Sequence, residues 1–194
     1  MGNRIMKDLV SEAIVFSTIA HDGMRRRKSD TPYITHPMEV GVIISTMTDD
    51  QEVIAAGLLH DVVEDAEISI EEIGEKFGAR VMELVGSETE NKYEDLPPEA
   101  TWRIRKEESL EKLSATNDID VLMLWLGDKL SNIRAIYKDF LIEGDSIWNK
   151  FHQSDIKAQA WYYRSIMKYT ARLANTLAWN EYKTLVEKLF GVEE

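Results

Sequence analysis

The sequence predicts an all-α protein, a compact orthogonal bundle of roughly eight to ten helices. Apolar residues recur at spacings of three and four along most of the chain, and no segment alternates apolar with polar residues as a half-buried strand would. No internal repeat, low-complexity tract or linker interrupts the 194 residues, so a single domain over residues 1–194 is expected.

Ile5, Leu9, Ala13, Phe16 and Ala20 mark a first amphipathic helix that stops near Asp22-Gly23. Residues 24–37 hold two prolines and the basic run Arg25-Arg26-Arg27-Lys28, and read as an ordered loop. Pro37 suits the first turn of the next helix, which residues 38–46 continue, and it pushes His36 out of helical geometry. Asp49 or Asp50 can cap a third helix that carries Gly57-Leu58-Leu59-His60-Asp61-Val62-Val63-Glu64-Asp65. Ser69 and Glu72 form a capping box for a short helix ending at Phe77-Gly78, and another starts near Ala79. Residues 87–98 read as a loop through Pro97-Pro98, and 99–113 as a strongly charged helix. After a break at Asn117-Asp118, residues 119–140 form a long helix whose apolar run 121–126 belongs in the core. Residues 155–190 give one or two amphipathic helices rich in aromatics.

A hydrophobic fraction of 44% supplies a sizeable core. The absence of cysteine excludes disulfides, zinc-thiolate sites and thiol catalysis. No apolar run approaches the roughly 20 residues that cross a bilayer, and residues 1–10 lack the pattern of a secretory signal, so a soluble, cytoplasmic protein without a membrane partner is expected. The net charge of -12 argues against general nucleic-acid binding, which needs a basic footprint. A small anion can still bind where positive charge is concentrated, and a homo-oligomer is compatible with the sequence.

The stretch from Gly57 to Asp65 sets ionisable and metal-ligating groups among core residues. In a helix, His60, Asp61, Glu64 and Asp65 stack on one side at spacings of three and four, with Leu58, Leu59, Val62 and Val63 turned into protein. A charged stripe against a buried one is costly without compensation, and a divalent cation compensates it. His36, before a helix, and Asp128, after six apolar residues and a glycine, are the candidates to complete such a site. Two imidazoles and two carboxylates suit Mn²⁺, Fe²⁺ or Zn²⁺ better than Ca²⁺ or Mg²⁺, which prefer oxygen ligands alone.

His36, His60-Asp61 and Asp128 resemble the H…HD…D signature of HD-domain metal-dependent phosphohydrolases. More narrowly, Arg27-Lys28-Ser29-Asp30-Thr31-Pro32-Tyr33-Ile34-Thr35-His36-Pro37 resembles the RK-x-x-x-P-Y-x-x-H-P segment of RelA/SpoT-type (p)ppGpp hydrolases. Leu59 to Asp65 resembles their L-H-D-x-x-E-D, and Asp128-Lys129-Leu130-Ser131-Asn132-Ile133-Arg134 their D-(K/R)-L-x-N-x-R. The HD pair alone is weak evidence, whereas three ordered motifs over about residues 8 to 140 are specific.

The resemblance implies an HD-domain fold in which His36, His60, Asp61 and Asp128 bind one Mn²⁺. It implies that Glu64 and Asp65 orient or deprotonate the attacking water, and that Arg27 and Lys28 hold the anionic substrate. Asn132, one turn after Asp128, would bond ribose or base, and Arg134 faces elsewhere. The implied reaction is hydrolysis of the 3′-pyrophosphate of ppGpp or pppGpp to GDP or GTP and pyrophosphate, with a guanine nucleotide as the small-molecule partner. The chain is hydrolase-sized, with neither a nucleotidyltransferase sheet nor a regulatory domain after Phe140, and so looks like a small stand-alone alarmone hydrolase. Alternatives are an HD phosphohydrolase for another nucleotide or phosphoester, and a catalytically silent nucleotide-sensing module. Two departures bear on substrate: Trp125 stands where the family usually has lysine, and residues 87–95 are acid-rich.

Other conspicuous residues have plainer readings. His21 suits a helix end, His152 the surface, and Trp161-Tyr162-Tyr163 the core or an interface rather than a base pocket. Arg103, Arg105 and Lys106 are expected to pair within their helix with Glu107, Glu108 and Glu111.

Overall fold

A computed structural model describes residues 8–26, 29–66, 68–90, 93 and 96–192. Among them lie ten α-helices, two short 3-10 segments and one isolated antiparallel bridge between Arg25 and Pro32, so the all-α class holds. They divide into two compact units, one running to Thr89 and the other starting at Glu90. No described helix is long and apolar enough to cross a membrane.

In the first unit, α1 (Leu9–Ala20) starts where the Asp8 carboxylate accepts from the Ser11 amide at 2.8 Å. It ends at His21, two residues before Gly23 takes a positive φ of 76°. Next comes α2 (Thr35–Ser45), which begins earlier than expected and takes His36 into its first turn. The first four amides of a helix have no intrahelical acceptor, so Pro37 forfeits no bond there. The steric preference of a residue before proline is outweighed, and His36 is helical.

The centre of this unit is α3 (Gln51–Leu59), capped by Asp50, whose carboxylate accepts from the Glu52 amide at 2.8 Å. It packs on α1, α2 and α6 (Ala79–Glu88), burying Val53, Ala55, Ala56, Gly57, Leu58 and Leu59. Glycines make the contact with α2 close and reciprocal. A Cβ on Gly41 of α2 would stand 2.7 Å from Leu58, and one on Gly57 of α3 would stand 2.3 Å from Ile44. The α3 helix stops at Leu59, and a separate short α4 (Val62–Asp65) follows a turn at His60-Asp61. The continuous helix expected through Asp65 is therefore broken at the candidate ligands. Then α5 (Ile70–Phe77) opens with the predicted capping box: Ser69 Oγ accepts from the Glu72 amide at 3.2 Å while Glu72 accepts from the Ser69 amide at 2.8 Å. Phe77 meets Phe16 edge to face at 5.3 Å, tying α5 to α1.

The second unit holds α7 (Pro98–Ala115), α8 (Ile119–Glu143), a 3-10 segment (Gly144–Lys150), α9 (Ile156–Tyr169), a 3-10 turn (Ala171–Leu173) and α10 (Leu177–Phe190). Here α8 packs on α9 and α10, and Arg134 grips Glu181 of α10 through Nε at 2.7 Å and Nη2 at 2.6 Å. That two-pronged bond accounts for Arg134 facing away from Asp128. Tyr162 and Tyr163 are buried core residues, as expected: Tyr163 stacks on Phe190 at 5.9 Å, and the Tyr182 hydroxyl donates to the Tyr163 carbonyl at 3.1 Å.

One expectation about charge is corrected here. Arg103 does pair within α7, its Nε 2.6 Å from Glu107. Arg105 and Lys106 instead reach back to Glu90, at 2.9 and 2.6 Å, and Ser109 donates to the same carboxylate at 3.2 Å. Spacing along one helix could not reveal a partner some fifteen residues upstream. Burial raises the Glu90 carboxyl, but Lys106, followed by Lys129 and Arg105, outweighs it and holds the group below the ordinary 4.5. Lys106 also lies 5.0 Å from the Tyr162 ring, which couples the charged cluster to the aromatic core of α9.

Two stability measurements test this account. Gly57→Ala gains up to about 1 kcal/mol in helix propensity but must displace fully buried Ile44, an overpacking cost of roughly 1–3 kcal/mol. Urea unfolding should show a net loss; a gain would mean that α2 and α3 can separate freely. Glu90→Gln strands two largely buried cations, and at pH 7 should cost roughly 3 kcal/mol. A carboxyl lowered by folding adds stability that is complete above its unfolded value and fades as pH falls through its folded value. The melting-temperature gap between parent and Glu90→Gln should thus be constant over pH 6–8 and shrink below about pH 4; a gap that persists in acid would contradict the ion-pair origin.

Candidate metal centre

The candidate centre in the first unit is set by how α3 ends. His60 Nδ1 lies 2.9 Å from the Gly57 carbonyl, the ordinary acceptor for residue 61 in an unbroken helix. Side-chain capture of that carbonyl competes with the helical ladder and accompanies the turn at His60-Asp61. A carbonyl can only accept, so Nδ1 carries a proton, and in the neutral ring Nε2 presents a lone pair.

That lone pair lies 3.0 Å from Asp61 Oδ2, and His36 Nε2, delivered by the first turn of α2, lies 3.4 Å from the same oxygen. The two imidazole rings meet edge to face at 5.1 Å, and each histidine is only 3% exposed. Burial favours the neutral Asp61 carboxyl, but His60 and then His36 outweigh it and hold the group well below the usual carboxylate range. At His60 Nε2, a proton or a metal ion facing the carboxylate oxygen satisfies both groups, whereas a bare lone pair there is repulsive. The donor set therefore fits a divalent cation, with mixed nitrogen and oxygen ligands of the kind that Mn²⁺, Fe²⁺ and Zn²⁺ accept. The sequence indicated these three residues, and the structure brings them together.

Tyr33 was not singled out beyond its place in the motif. Its hydroxyl donates to Asp61 Oδ2 at 2.6 Å. Burial first, then the Asp61 and Asp65 carboxylates, push the phenol far above its ordinary value, so it stays protonated. The available signal was Tyr33 lying three residues before a candidate ligand, between two prolines, but nothing local says which carboxylate its hydroxyl will meet.

Glu64 and Asp65 lie on α4, immediately past the ligand pair. Their amides donate to the Asp61 carbonyl at 3.1 and 2.9 Å, so the turn that carries Asp61 also fixes the start of the segment holding both carboxylates. Glu64 is half-buried and Asp65 exposed, which leaves both carboxylates within reach of solvent. Arg27 and Lys28 lie outside the described residues.

Asp128 and Asn132 belong to the second unit, on α8. Asp128 is buried at 4% exposure, and its carboxylate takes the Lys129 ammonium on Oδ2 and the Asn132 amide on Oδ1, the latter at 2.6 Å. Two charge-assisted donors satisfy a buried acid in the way the sequence required. Asn132 thus holds the carboxylate, a role not anticipated for it. Trp125 is 2% exposed, and the Lys129 ammonium lies 5.0 Å from its ring. The residue in place of the family lysine is therefore a core side chain. His21 is buried with Nδ1 2.9 Å from the Ser17 carbonyl, and exposed His152 bonds Glu99 at 2.8 Å, matching their structural readings.

A family model described as HD domain matches residues 13–153. GTP pyrophosphokinase rsh of Brucella ovis is 35% identical over 130 residues, covering 66% of this chain and 17% of that protein. Guanosine-3′,5′-bis(diphosphate) 3′-pyrophosphohydrolase of Haemophilus influenzae is 38% identical over 122 residues, covering 60% of this chain and again 17% of the relative. The chain thus corresponds to 17% of the length of these curated relatives. A crystal structure of a Listeria monocytogenes EGD-e protein is 32% identical with a TM-score of 0.71, covering 81% of this chain and 99% of that one. The structure of a metazoan ortholog of SpoT, a protein described as hydrolysing ppGpp, shares the fold at 23% identity with a TM-score of 0.76, covering 95% and 97% of the two chains.

The donor geometry predicts metal-linked stability. Mn²⁺ at 100 times its Kd should stabilise the parent by about 2.7 kcal/mol, read as a rise in melting temperature. His36→Ala and His60→Ala should lose that rise, and its persistence in either variant would remove the residue from the centre.

Proposed function

Since the chain belongs to the HD-domain family, we propose that it is a divalent-metal-dependent hydrolase that removes the 3′-pyrophosphate of ppGpp or pppGpp, giving GDP or GTP and pyrophosphate. The observation that supports this reading most is the meeting of His36 Nε2, His60 Nε2 and Asp61 Oδ2, with carboxylates one turn further on at Glu64 and Asp65. The narrower substrate rests on the three ordered motifs and on the names and description of the relatives.

In this reading His36, His60, Asp61 and Asp128 hold one ion, Mn²⁺ by preference. When bound, such an ion makes water a stronger acid, its pKa falling from about 16 to roughly 7 in favourable cases, and offsets charge on phosphoryl oxygens. The chain's own groups do the rest. His60 holds its ring by donating to Gly57 and so keeps Nε2 turned toward the centre. Glu64, half-buried beside the ligand turn, accepts the proton of the attacking water, and Asp65 orients that water from the solvent side. Arg27 and Lys28 grip the anionic substrate, the guanidinium by its planar fork and the ammonium as a point charge. Asn132 steadies Asp128 and bonds ribose or base.

Incubating the protein with ppGpp and Mn²⁺ should yield GDP and pyrophosphate, and Asp61→Ala or Asp128→Ala should abolish the reaction. Glu64→Gln should keep metal but lower turnover by roughly 10²–10⁴-fold. If ppGpp survives while another nucleotide or phosphoester is cleaved, the substrate assignment is replaced. If no nucleotide or phosphoester is cleaved, the protein is a nucleotide-sensing module instead.

A further inference from the structure

Tyr33 is positioned by the loop on one side and bound to a metal ligand on the other. Its amide donates to the Met24 carbonyl at 3.0 Å, and the Arg26 amide donates to the Thr31 carbonyl at 2.8 Å. The Arg26 guanidinium lies 5.7 Å from the Tyr33 ring. Under that ring lies buried His21, centroid to centroid 5.1 Å, itself anchored on α1 through Nδ1 to Ser17. His21 Nε2 has no hydrogen-bond partner among the described residues, so the imidazole serves the tyrosine as a packing surface. The Tyr33 carbonyl then accepts from the amide of His36, a candidate ligand, at 2.9 Å. At the far end of the side chain, the hydroxyl donates to the Asp61 oxygen that both histidines face.

A carboxylate oxygen has two in-plane lone-pair directions. A donor fixed at 2.6 Å on Asp61 Oδ2 takes one of them and leaves the other toward the imidazoles. Without it, the carboxylate is free to rotate about its terminal bond, and the ligating geometry has to be formed anew at each binding event. The tyrosine, held by its amide on the Met24 carbonyl and floored by His21, is an anchored donor for this purpose.

We propose that Tyr33 is a positioning residue for the metal ligand Asp61, fixing which oxygen lone pair Asp61 presents. This inference rests on the metal-hydrolase reading above.

The test is Mn²⁺ titration of the parent, Tyr33→Phe and Tyr33→Leu, each with its melting temperature measured without metal. Both variants lack the hydroxyl, but Leu also removes the ring that packs on His21. Tyr33→Phe should weaken Mn²⁺ binding about 10–100-fold, the usual effect of losing a partner that orients a ligand. Tyr33→Leu should weaken it by a similar factor while melting lower, and raised Mn²⁺ should restore most ppGpp turnover in Tyr33→Phe. Mn²⁺ affinity within twofold of the parent in Tyr33→Phe overturns the inference. So does a loss of affinity that follows the loss of melting temperature across the two variants, since that marks packing alone. A parent that binds no Mn²⁺ overturns the metal reading and this inference with it. A parent that binds Mn²⁺ but leaves ppGpp intact overturns only the substrate assignment.

Discussion

The first unit is organised around one capture, that of the Gly57 carbonyl by the His60 ring. A helix as buried as α3 would normally continue until a capping residue or glycine stopped it. Here the stop is a side chain whose other nitrogen faces Asp61. The same hydrogen bond helps end the helix, leaves Nε2 as the outward nitrogen and turns Asp61 toward His36. Glycine at position 57 contributes twice, through a carbonyl in reach of His60 and through the missing Cβ that lets α2, with His36, approach. Fold and candidate centre therefore share their most constrained residues, and neither can be altered alone.

Both units face the same electrostatic problem and solve it with different parts. Around Asp61, buried imidazoles and a protonated phenol converge on a single carboxylate oxygen, an arrangement that favours an added cation. Around Glu90 and Asp128, the protein supplies its own cations, Arg105 and Lys106 for one and Lys129 for the other. A chain with a net charge of -12 thus spends several of its basic residues inside, where each offsets a particular acid. Because the cations drawn inside are matched by buried acids, the exposed surface keeps the acidic balance of the composition. Anionic substrates must then be attracted locally, and the run 25–28 is the densest basic segment available.

The comparisons agree with the order of the motifs rather than with overall length. The chain matches a short part of long curated relatives, yet nearly the whole of two solved structures of similar fold. Within that match, the replacement of a family lysine by Trp125 is absorbed by the core, its ring facing the Lys129 ammonium. A charge is missing from one position of α8, while the lysine beside Asp128 remains and is paired with it.

Much of this was legible in the sequence because it rests on local rules. The three- and four-residue periodicity gave the helices, Asp50 and the Ser69–Glu72 box gave their starts, and Gly23 and Gly78 marked where they stop. His36, His60, Asp61 and Asp128 could be chosen because ionisable groups among core residues need compensation wherever the chain folds. What the sequence could not decide were relations between residues far apart along it, or between competing local preferences. Pro37 was compatible with His36 inside or outside a helix, and only packing of α2 on α3 settled it. The break at His60 depends on whether a ring finds a carbonyl three residues back or stays in solvent, which burial decides. Glu90 meets Arg105 and Lys106, and Tyr33 meets Asp61, because tertiary structure closes gaps of fifteen to twenty-eight residues that no spacing rule spans. Side-chain periodicity is a property of one element, whereas the partner of a buried charge is a property of the whole fold.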